Sequence, residues 1–432
     1  MTRRYRGLTW AHPRGTDALR AALDEPGAPA CHIEWDAQSL EGFESAPVAR
    51  NAATYDLLVL DHPHIGEALA HHALRPLEEL FEPAELDCWR KASVGRSFES
   101  YAAQGKTWAL PLDAATQVSA LADPALPVPD TWEQAVTLAR EVPSVLPTTG
   151  PHLFLTLCAI AVAHGEEPGG RGSRFLSTEA IAEALSTIAA FVDVQTDGPQ
   201  VHNPITVLDA MSRPGGPVYC PHVYGYVNYS QGAVTRPVSF HDAPQGRSGR
   251  RGSVLGGTGV AVSARCEPDA ALRDHIRWLM SESAQRDFIP RHAGQPSAIA
   301  AWRDPDLNAA ARQFYVHTHA TITDAWIRPR HDGAIAFQQR AAHRVREAVF
   351  SGGHPQALAD ELTELYQSCR SGDEMIGSPI DVLGPRVGRW TTSEIAEPAD
   401  QQPKTHRIEG ARPSNPGANL SPPPTSRYQG EQ

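Results

Sequence analysis

The sequence predicts an α/β protein with two lobes and a C-terminal tail, and three observations lead to this fold class. The chain has 432 residues, more than one compact core normally holds and enough for two lobes. Segments with strand and helix patterns alternate along its first part, as they do in α/β proteins. The apolar run at residues 55–60 is typical of a strand buried on both faces of a parallel sheet that helices cover.

Each predicted element rests on its own pattern. Apolar, β-branched and aromatic runs predict strands at residues 5–10, 31–36, 55–60, 106–112, 219–229 and 254–263. Apolar positions at helical spacing predict helices at residues 16–23, 153–163, 178–191, 268–281, 333–350 and 354–369. A turn at residues 13–15 leads into the first of these helices. One more helix begins near Thr131, because Thr131 or Asp130 can cap it and Glu133 complements its dipole.

Composition and charge argue against two kinds of partner. The net charge is −12 and no Lys/Arg-rich run occurs, so we expect no nucleic-acid binding, which needs clustered cations. The six cysteines are scattered and form no CxxC pair, so we expect buried small residues rather than zinc ligands. No stretch reaches the roughly 18 apolar residues that a membrane span requires.

The two ends of the chain carry predictions of their own. Residues 1–7 begin with positive charge, but they lead into residues 8–15 without the apolar segment of a signal peptide. The chain as written is therefore expected in the cytoplasm. Beyond Gly372 the sequence is rich in Pro, Ser, Gly, Gln and Asn, so we expect a disordered tail that buries too little apolar surface to fold.

Five segments carry a family resemblance. Residues 55–61 hold an apolar strand between two aspartates, residues 105–113 read GKTWALPLD, and residues 131–133 (TWE) open a helix. Residues 256–263 read GGTGVAVS, and residues 271–289 contain the run WLMSESAQ. In this order and spacing the segments resemble extracellular solute-binding protein family 1, the maltose-binding-protein-like substrate-binding proteins of ABC transporters, whose best-known members bind sugars.

The resemblance spans about residues 5–369 and implies a type II periplasmic-binding fold, in which two discontinuous α/β lobes meet at a hinge with the ligand between them. Lobe one is expected at residues 1–112 and 253–303, lobe two at 113–252 and 304–371, and the tail at 372–432. The resemblance also implies the function of a monomeric, extracytoplasmic binding component that needs no cofactor and docks on the transmembrane subunits of an ABC permease.

The first candidate ligand contacts follow two predicted strands. Open α/β sheets bind ligands at the carboxyl ends of their strands. Trp10, His12 and Arg14 follow the first strand, and Asp61 and His62 follow the central one, so we expect these five side chains at the cleft. Trp10 packed within its own lobe is the alternative. A metal site in the histidine-rich loop is not expected, since its other histidines fall at least one helical turn away.

Further candidates come from the crossover and from an aromatic segment. Asp113 and Gln117 lie just past the crossover, where Asp113 contacts the ligand or caps a turn. Tyr224 and Tyr226 share one face of a strand at period two. Their rings can stack on a sugar or enclose a quaternary amine; the alternative is ordinary packing on that face.

Arg328 and Arg330 precede a long predicted helix, at the position where the family returns to lobe two and lines the cleft. Either arginine could hold a carboxylate or phosphate through two parallel hydrogen bonds, or form a surface salt bridge. Two ligand classes therefore stay open. The family favours a sugar, whereas the arginines and histidines favour a small carboxylate or another anion.

Two other functions remain as alternatives: an intracellular ligand sensor or carrier on the same fold, and an unrecognised hydrolase or transferase. We expect no enzyme, because the sequence has no GxSxG, HExxH or Walker motif. The glycines at residues 256–259 precede a β-like run rather than a helix, so the amides and dipole that would cradle a phosphate are missing.

Overall fold

The computed structural model describes residues 3–170, 174–195, 202–231 and 234–370. The predicted disordered tail at residues 372–432 lies outside these ranges.

The described residues form nine strands and seventeen α-helices, joined by short 3₁₀ turns. The strands are β1 (Arg4–Trp10), β2 (His32–Gln38), β3 (Leu57–Leu60), β4 (Ala102–Ala103), β5 (Lys106–Thr107), β6 (Leu110–Leu121), β7 (Tyr219–Tyr224), β8 (Ser239–His241) and β9 (Leu255–Val262). The helices are α1 (Pro13–Ala21), α2 (Leu40–Ser45), α3 (Val48–Ala52), α4 (Ile65–Ala70), α5 (Pro83–Ala92), α6 (Trp132–Glu141), α7 (His152–Ala163), α8 (Thr178–Val192), α9 (Pro204–Met211), α10 (Ala270–Leu279), α11 (Ile289–Arg291), α12 (Ile299–Trp302), α13 (Pro305–Ala310), α14 (Phe314–His317), α15 (His319–Asp324), α16 (Ala334–Ser351) and α17 (Pro355–Arg370).

The main sheet is mixed rather than purely parallel. Its strand order is β2-β1-β3-β9-β6-β7, with β8 also paired to β6. β1 runs parallel to β2 and to β3, but β9 is antiparallel to both β3 and β6. The sequence pattern therefore predicted the β1–β3 part correctly and missed the antiparallel partner of β3. The chain leaves this part of the sheet along β6 and comes back along β9, so β9 must run in the opposite direction.

Strand β6 connects two parts of the sheet. Its residues from Leu110 to Thr116 pair with β9, and those from Gln117 to Leu121 pair with β7 and β8. All twelve residues of β6 are buried, which explains why apolar residues continue well beyond the predicted strand end at residue 112. Because β6 belongs to both parts, it places Asp113 and Gln117 between them.

Helix α1 begins earlier than the sequence predicted. The expected turn at residues 13–15 is its first turn, with His12 as the capping residue and Pro13 at the first helical position. Proline is favoured there because the missing N–H would have had no helical partner. The ring Nδ1 of His12 accepts a hydrogen bond from the backbone N–H of Arg14 at 3.1 Å. The earlier start places the Arg14 side chain directly beside the end of β1.

A second hydrophobic cluster, separate from the one around β1–β3, is largely helical. Helices α6, α7, α8, α16 and α17 pack together in one hydrophobic cluster. All twelve residues of α7 are buried, as expected for a helix that is apolar on every side.

No helix among the described residues is long and apolar enough to cross a membrane. The exact lobe boundaries stay a prediction.

The contact between α4 and the segment after Arg330 requires a glycine. A β-carbon added at Gly66 would lie 2.1 Å from the carbonyl carbon of His331. We therefore expect Gly66→Ala to lower the free energy of unfolding by about 1–3 kcal/mol, as overpacking does. Urea denaturation measures this change. Gly27→Ala is the control, because its added carbon would meet only one side-chain oxygen, at 4.0 Å. Equal stability of the two variants would contradict the expectation.

Candidate functional site

A cavity of about 60 Å³ lies among the loops and strand ends of both parts of the sheet; we call it the central cavity. Five of the predicted ligand contacts line it, namely Trp10, Arg14, Asp61, Tyr224 and Tyr226. The remaining lining residues are Leu40, Phe43, Glu44, Ala115, Gly256, Gly257 and Thr258. The cavity is thus rimmed by aromatic rings and by charged groups that come from distant segments of the chain.

Trp10, His12 and Tyr226 form one aromatic wall. The rings of Trp10 and His12 are stacked with centroids 5.2 Å apart, and Tyr226 contacts each of them edge-on, at 6.0 and 5.1 Å. Burial and the nearby Arg14 guanidinium lower the pKa of His12 to about 4. A neutral His12 ring therefore supports the wall at neutral pH, and it also caps α1.

Arg14 and Asp113 form a buried ion pair next to this wall. Arg14 Nε lies 2.6 Å from Asp113 Oδ2, and Nη2 lies 2.5 Å from Oδ1. The third guanidinium nitrogen donates to the carbonyl of Gly225 at 3.2 Å, and the group lies 4.6 Å from the centre of the Tyr226 ring. Burial raises the pKa of Asp113, and Arg14 acts against that rise. Asp113 therefore holds Arg14 and does not line the central cavity.

Arg328 and Asp61 form a second buried ion pair. Asp61 lines the central cavity, whereas Arg328 lines a separate cavity of about 270 Å³. Arg328 Nη2 lies 2.5 Å from Asp61 Oδ2, and Nη1 donates to Gln338 Oε1 at 3.2 Å. Burial by itself raises the pKa of Asp61, but the Arg328 guanidinium and the interactions with His62 together outweigh this, so that pKa lies well below its ordinary value. Arg328 Nε is buried without a hydrogen-bond partner.

His62 contacts the backbone of Arg328 and does not line the central cavity. Its Nε2 accepts a hydrogen bond from the backbone N–H of Arg328 at 3.3 Å, and its ring meets Tyr101 edge-on. Burial and Arg328 lower the pKa of His62 to about 4. We predicted His62 at the cleft. The structure places it one layer behind the residues that line the central cavity.

Gln117 and Tyr224 lie opposite each other in the β6–β7 ladder. Gln117 is fully buried, and its Oε1 and the hydroxyl of Tyr224 have no hydrogen-bond partner. The Tyr224 ring fits because residue 256 is glycine: a β-carbon there would lie 2.6 Å from the ring. Gln117 itself does not line the central cavity, whereas Tyr224 does.

Glu44 lines the central cavity and contacts His152, and the sequence singled out neither residue. Glu44 lies on the short helix α2, with its side chain 21% exposed, and its Oε1 is 3.5 Å from His152 Nε2. Burial, with a further contribution from the charge of Asp61, raises the pKa of Glu44 to about 8. Burial lowers the pKa of His152 to about 3. No motif marks either residue, since a glutamate on a six-residue helix usually faces solvent.

Arg330 is a predicted contact that the structure places at a different cavity. Its Nη1 donates to the backbone carbonyls of Glu99, Ser100 and Ala102, at 2.7, 3.0 and 2.5 Å. Arg330 lines a separate cavity of about 270 Å³ together with Arg96. It holds the segment before β4 in place and does not reach the central cavity.

A larger cavity of about 330 Å³ adjoins helix α2, and we call it the outer cavity. Its walls come from α2, the start of α7 and the exposed side of α16, and Glu44 is common to both cavities. Its lining residues are Glu41, Glu44, Ser45, Gly150, Pro151, Gln338, Gln339, Ala342, His343 and Arg346. Glu44 therefore stands between a small inner space and a wider outer one.

No protein-family model and no curated protein matches the sequence. Solved structures do match it. The maltose-bound MalE3 of T. maritima superimposes with a TM-score of 0.70 at 18% identity, over 84% of this chain and 99% of that one. A ribitol complex of an ABC transporter solute-binding protein from Agrobacterium radiobacter K84 gives 0.68 at 20% identity, over 83% and 97%. The chain has the fold of the ABC-transporter solute-binding proteins.

A third structure with this fold is the GacH receptor of Streptomyces glaucescens GLA.O, solved unliganded and with acarbose. It has a TM-score of 0.70 at 14% identity, and the match covers 86% of this chain and 99% of that one. The two-lobed type II periplasmic-binding fold predicted from the sequence is therefore confirmed. On this solute-binding-protein fold the central cavity is built from the ends of β1 and β3, from β6, β7 and β9, and from helix α2.

The sequence predicts Arg14 at the cleft, because it follows β1 at the same edge of the sheet as Trp10 and His12. It does not mark Glu44, since only the packing of α2 turns that residue towards the cavity. Both residues line the central cavity.

Proposed function

We propose that this chain is the solute-binding component of an ABC importer and that it captures a small polar ligand in the central cavity. The observation that carries the proposal is the convergence of four aromatic rings with buried polar atoms that have no partner. These atoms are the Tyr224 hydroxyl and the indole Nε1 of Trp10, and both residues line the cavity. Unpaired buried polar groups are unfavourable unless a ligand or water satisfies them.

The fold supports this proposal, because the three structures described above are binding proteins or receptors by name, and their ligands are maltose, ribitol and acarbose. These molecules are rich in hydroxyl groups, so a sugar or polyol is the first class to test, with small carboxylates as the second. On this proposal the two lobes close around the ligand, because only the closed state brings both walls of the cavity into contact with it.

A thermal-shift screen of the purified chain tests the proposal. The panel contains sugars, polyols, small carboxylates, amino acids and amines. A ligand present at 100 times its Kd stabilises the folded state by about 2.7 kcal/mol, which gives a clear rise in melting temperature. If no compound moved the transition, while maltose did so for a maltose-binding control protein, the proposal would lose its basis.

Two further measurements separate the alternatives that the sequence left open. A ligand recovered chemically unchanged after incubation supports binding, whereas steady turnover would indicate an enzyme. Stimulation of the ATPase of a reconstituted permease by the ligand-bound chain supports the importer function. Ligand binding without any such stimulation would favour a sensor or carrier on the same fold.

A further inference from the structure

The arrangement of charge in the central cavity distinguishes between classes of ligand. The cavity and its immediate surroundings hold two arginines, and each is already matched by a carboxylate: Arg14 by Asp113, and Arg328 by Asp61. Both pairs are largely withdrawn from solvent, with at most 14% of any of these side chains exposed. Neither arginine is free to take up a ligand carboxylate without giving up its own partner.

Glu44 is the remaining carboxylate of the cavity. Among the described residues no Lys or Arg nitrogen lies within 4 Å of it, and its nearest basic group is His152, at 3.5 Å. His152 is buried and its pKa is lowered, so at neutral pH it carries no charge that would balance Glu44. An ionised Glu44 would therefore leave the cavity with one uncompensated negative charge.

The walls around Glu44 suit a cation. The rings of Trp10, Phe43, Tyr224 and Tyr226 line the same space, and aromatic faces attract cationic groups in sites that exclude water. The Tyr226 ring already holds a guanidinium, that of Arg14, at 4.6 Å. A volume of about 60 Å³ accommodates only a few atoms, whereas the outer cavity of about 330 Å³ falls within the size range of small-ligand pockets.

We propose that the ligand carries an ammonium group, which enters the central cavity and pairs with Glu44 while the rest of the molecule occupies the outer cavity. This inference rests on the proposed binding function and gives it a chemical class: an amino sugar or amino polyol rather than a neutral sugar or a carboxylate. Glu44 is suited to this role because it is the residue that both cavities share.

The pairing couples binding to a proton. Several charged or titratable groups face Glu44 or share a cavity with it, and they are Arg14, Glu41, Asp61, His152, Arg328, His343 and Arg346. The pKa of Glu44 without ligand is raised to about 8 by burial and by Asp61, so most Glu44 side chains are protonated at pH 6. An ammonium ligand must displace that proton. The affinity of an amine that stays protonated in this range, such as 1-amino-1-deoxysorbitol, should therefore rise as the pH increases from 6 to 8, by up to about tenfold per pH unit.

Matched ligand series test the class of ligand on the intact chain. Isothermal titration compares 1-amino-1-deoxysorbitol, sorbitol and gluconate, which share one six-carbon skeleton; glucosamine, glucose and glucuronate form a second series. We expect the amine to bind at least tenfold more tightly than the neutral and acidic members. Preference for a neutral or acidic member would overturn this inference and leave the binding function intact. If no member of either series bound, and the broad screen was also silent, both proposals would fail.

The Glu44→Gln variant tests the residue. It keeps the shape of the side chain and removes its charge, so amine affinity should fall at least tenfold and the pH dependence should disappear. Glu364→Gln is the matched control, because Glu364 is exposed on α17, away from both cavities. If Glu44→Gln failed to fold, the pH profile of amine binding to the natural chain decides the question. An affinity that stayed flat between pH 6 and 8 would overturn the role of Glu44.

Discussion

The Asp113→Ala variant is expected to lose about 3–5 kcal/mol of its free energy of unfolding, because it leaves the Arg14 guanidinium buried without its partner. In the natural chain the two side chains are only 4% and 7% exposed and meet through two contacts of 2.5–2.6 Å. Arginine stays protonated at any accessible pH, so the unpaired charge cannot be relieved by losing a proton. Urea denaturation followed by circular dichroism measures the loss.

A double variant separates the charge effect from the packing effect. Arg14→Met combined with Asp113→Leu removes both charges and keeps the volume, and such replacements are often neutral or stabilising. We expect it to be more stable than Asp113→Ala. Should Asp113→Ala fold too poorly to be measured, a well-folded double variant would give the same answer. A loss below about 1 kcal/mol in Asp113→Ala, within the range of an exposed pair, would show that the pair is open to solvent.

Arg328→Met is the second large change, since it removes the partner of Asp61 and the link to Gln338 and the Leu255 carbonyl. We expect a loss of about 3–5 kcal/mol at pH 7. The effect should also depend on pH. In the natural chain the pKa of Asp61 lies below its ordinary value, so its stabilising contribution is present above the unfolded pKa of about 3.9 and is lost as the pH falls through the folded pKa.

In Arg328→Met we expect the shift in the pKa of Asp61 to change direction. Burial then dominates and raises the folded pKa of Asp61 above its unfolded value, so folding favours the protonated acid. Stability relative to the natural chain should therefore fall as the pH rises from 4 to 7. Denaturation of both proteins at these two pH values provides the measurement. Adding Asp61→Leu should remove the pH dependence, and an equal loss at both pH values would mean that Asp61 is not the responsible group.

Much of the fold could be predicted from the sequence, because apolar runs and helical periodicity mark most of its strands and helices. The apolar run that became β3 and the glycine-rich run that became β9 are both buried strands in the structure. Helices α7, α8, α16 and α17 lie within one or two residues of their predicted positions. The prediction failed where a boundary depended on partners: β6 extends to Leu121 because it pairs with β9, β7 and β8.

The candidate site was predictable in part, for the same reason. Side chains that follow a strand lie at the edge of the sheet, and this placed Trp10 and Asp61 at the cavity. The period of two along β7 placed Tyr224 at the cavity, and Tyr226 lines it from just beyond the end of that strand. Arg330 was placed there by its position in the family pattern alone, and the carbonyls of residues 99–102 hold it elsewhere.

The sequence by itself therefore determined the α/β class, the order of the elements and the strand ends at which the cavity forms, since periodicity and apolar runs report burial directly. Only the tertiary structure decided which oppositely charged side chains form ion pairs. Arg14 finds Asp113 across 99 residues, and Arg328 finds Asp61 across 267. Charged side chains leave no periodic signature, so their pairing follows from how the sheet and α2 are assembled. Among the described residues, the same assembly leaves Glu44 as the carboxylate of the central cavity that has no Lys or Arg partner.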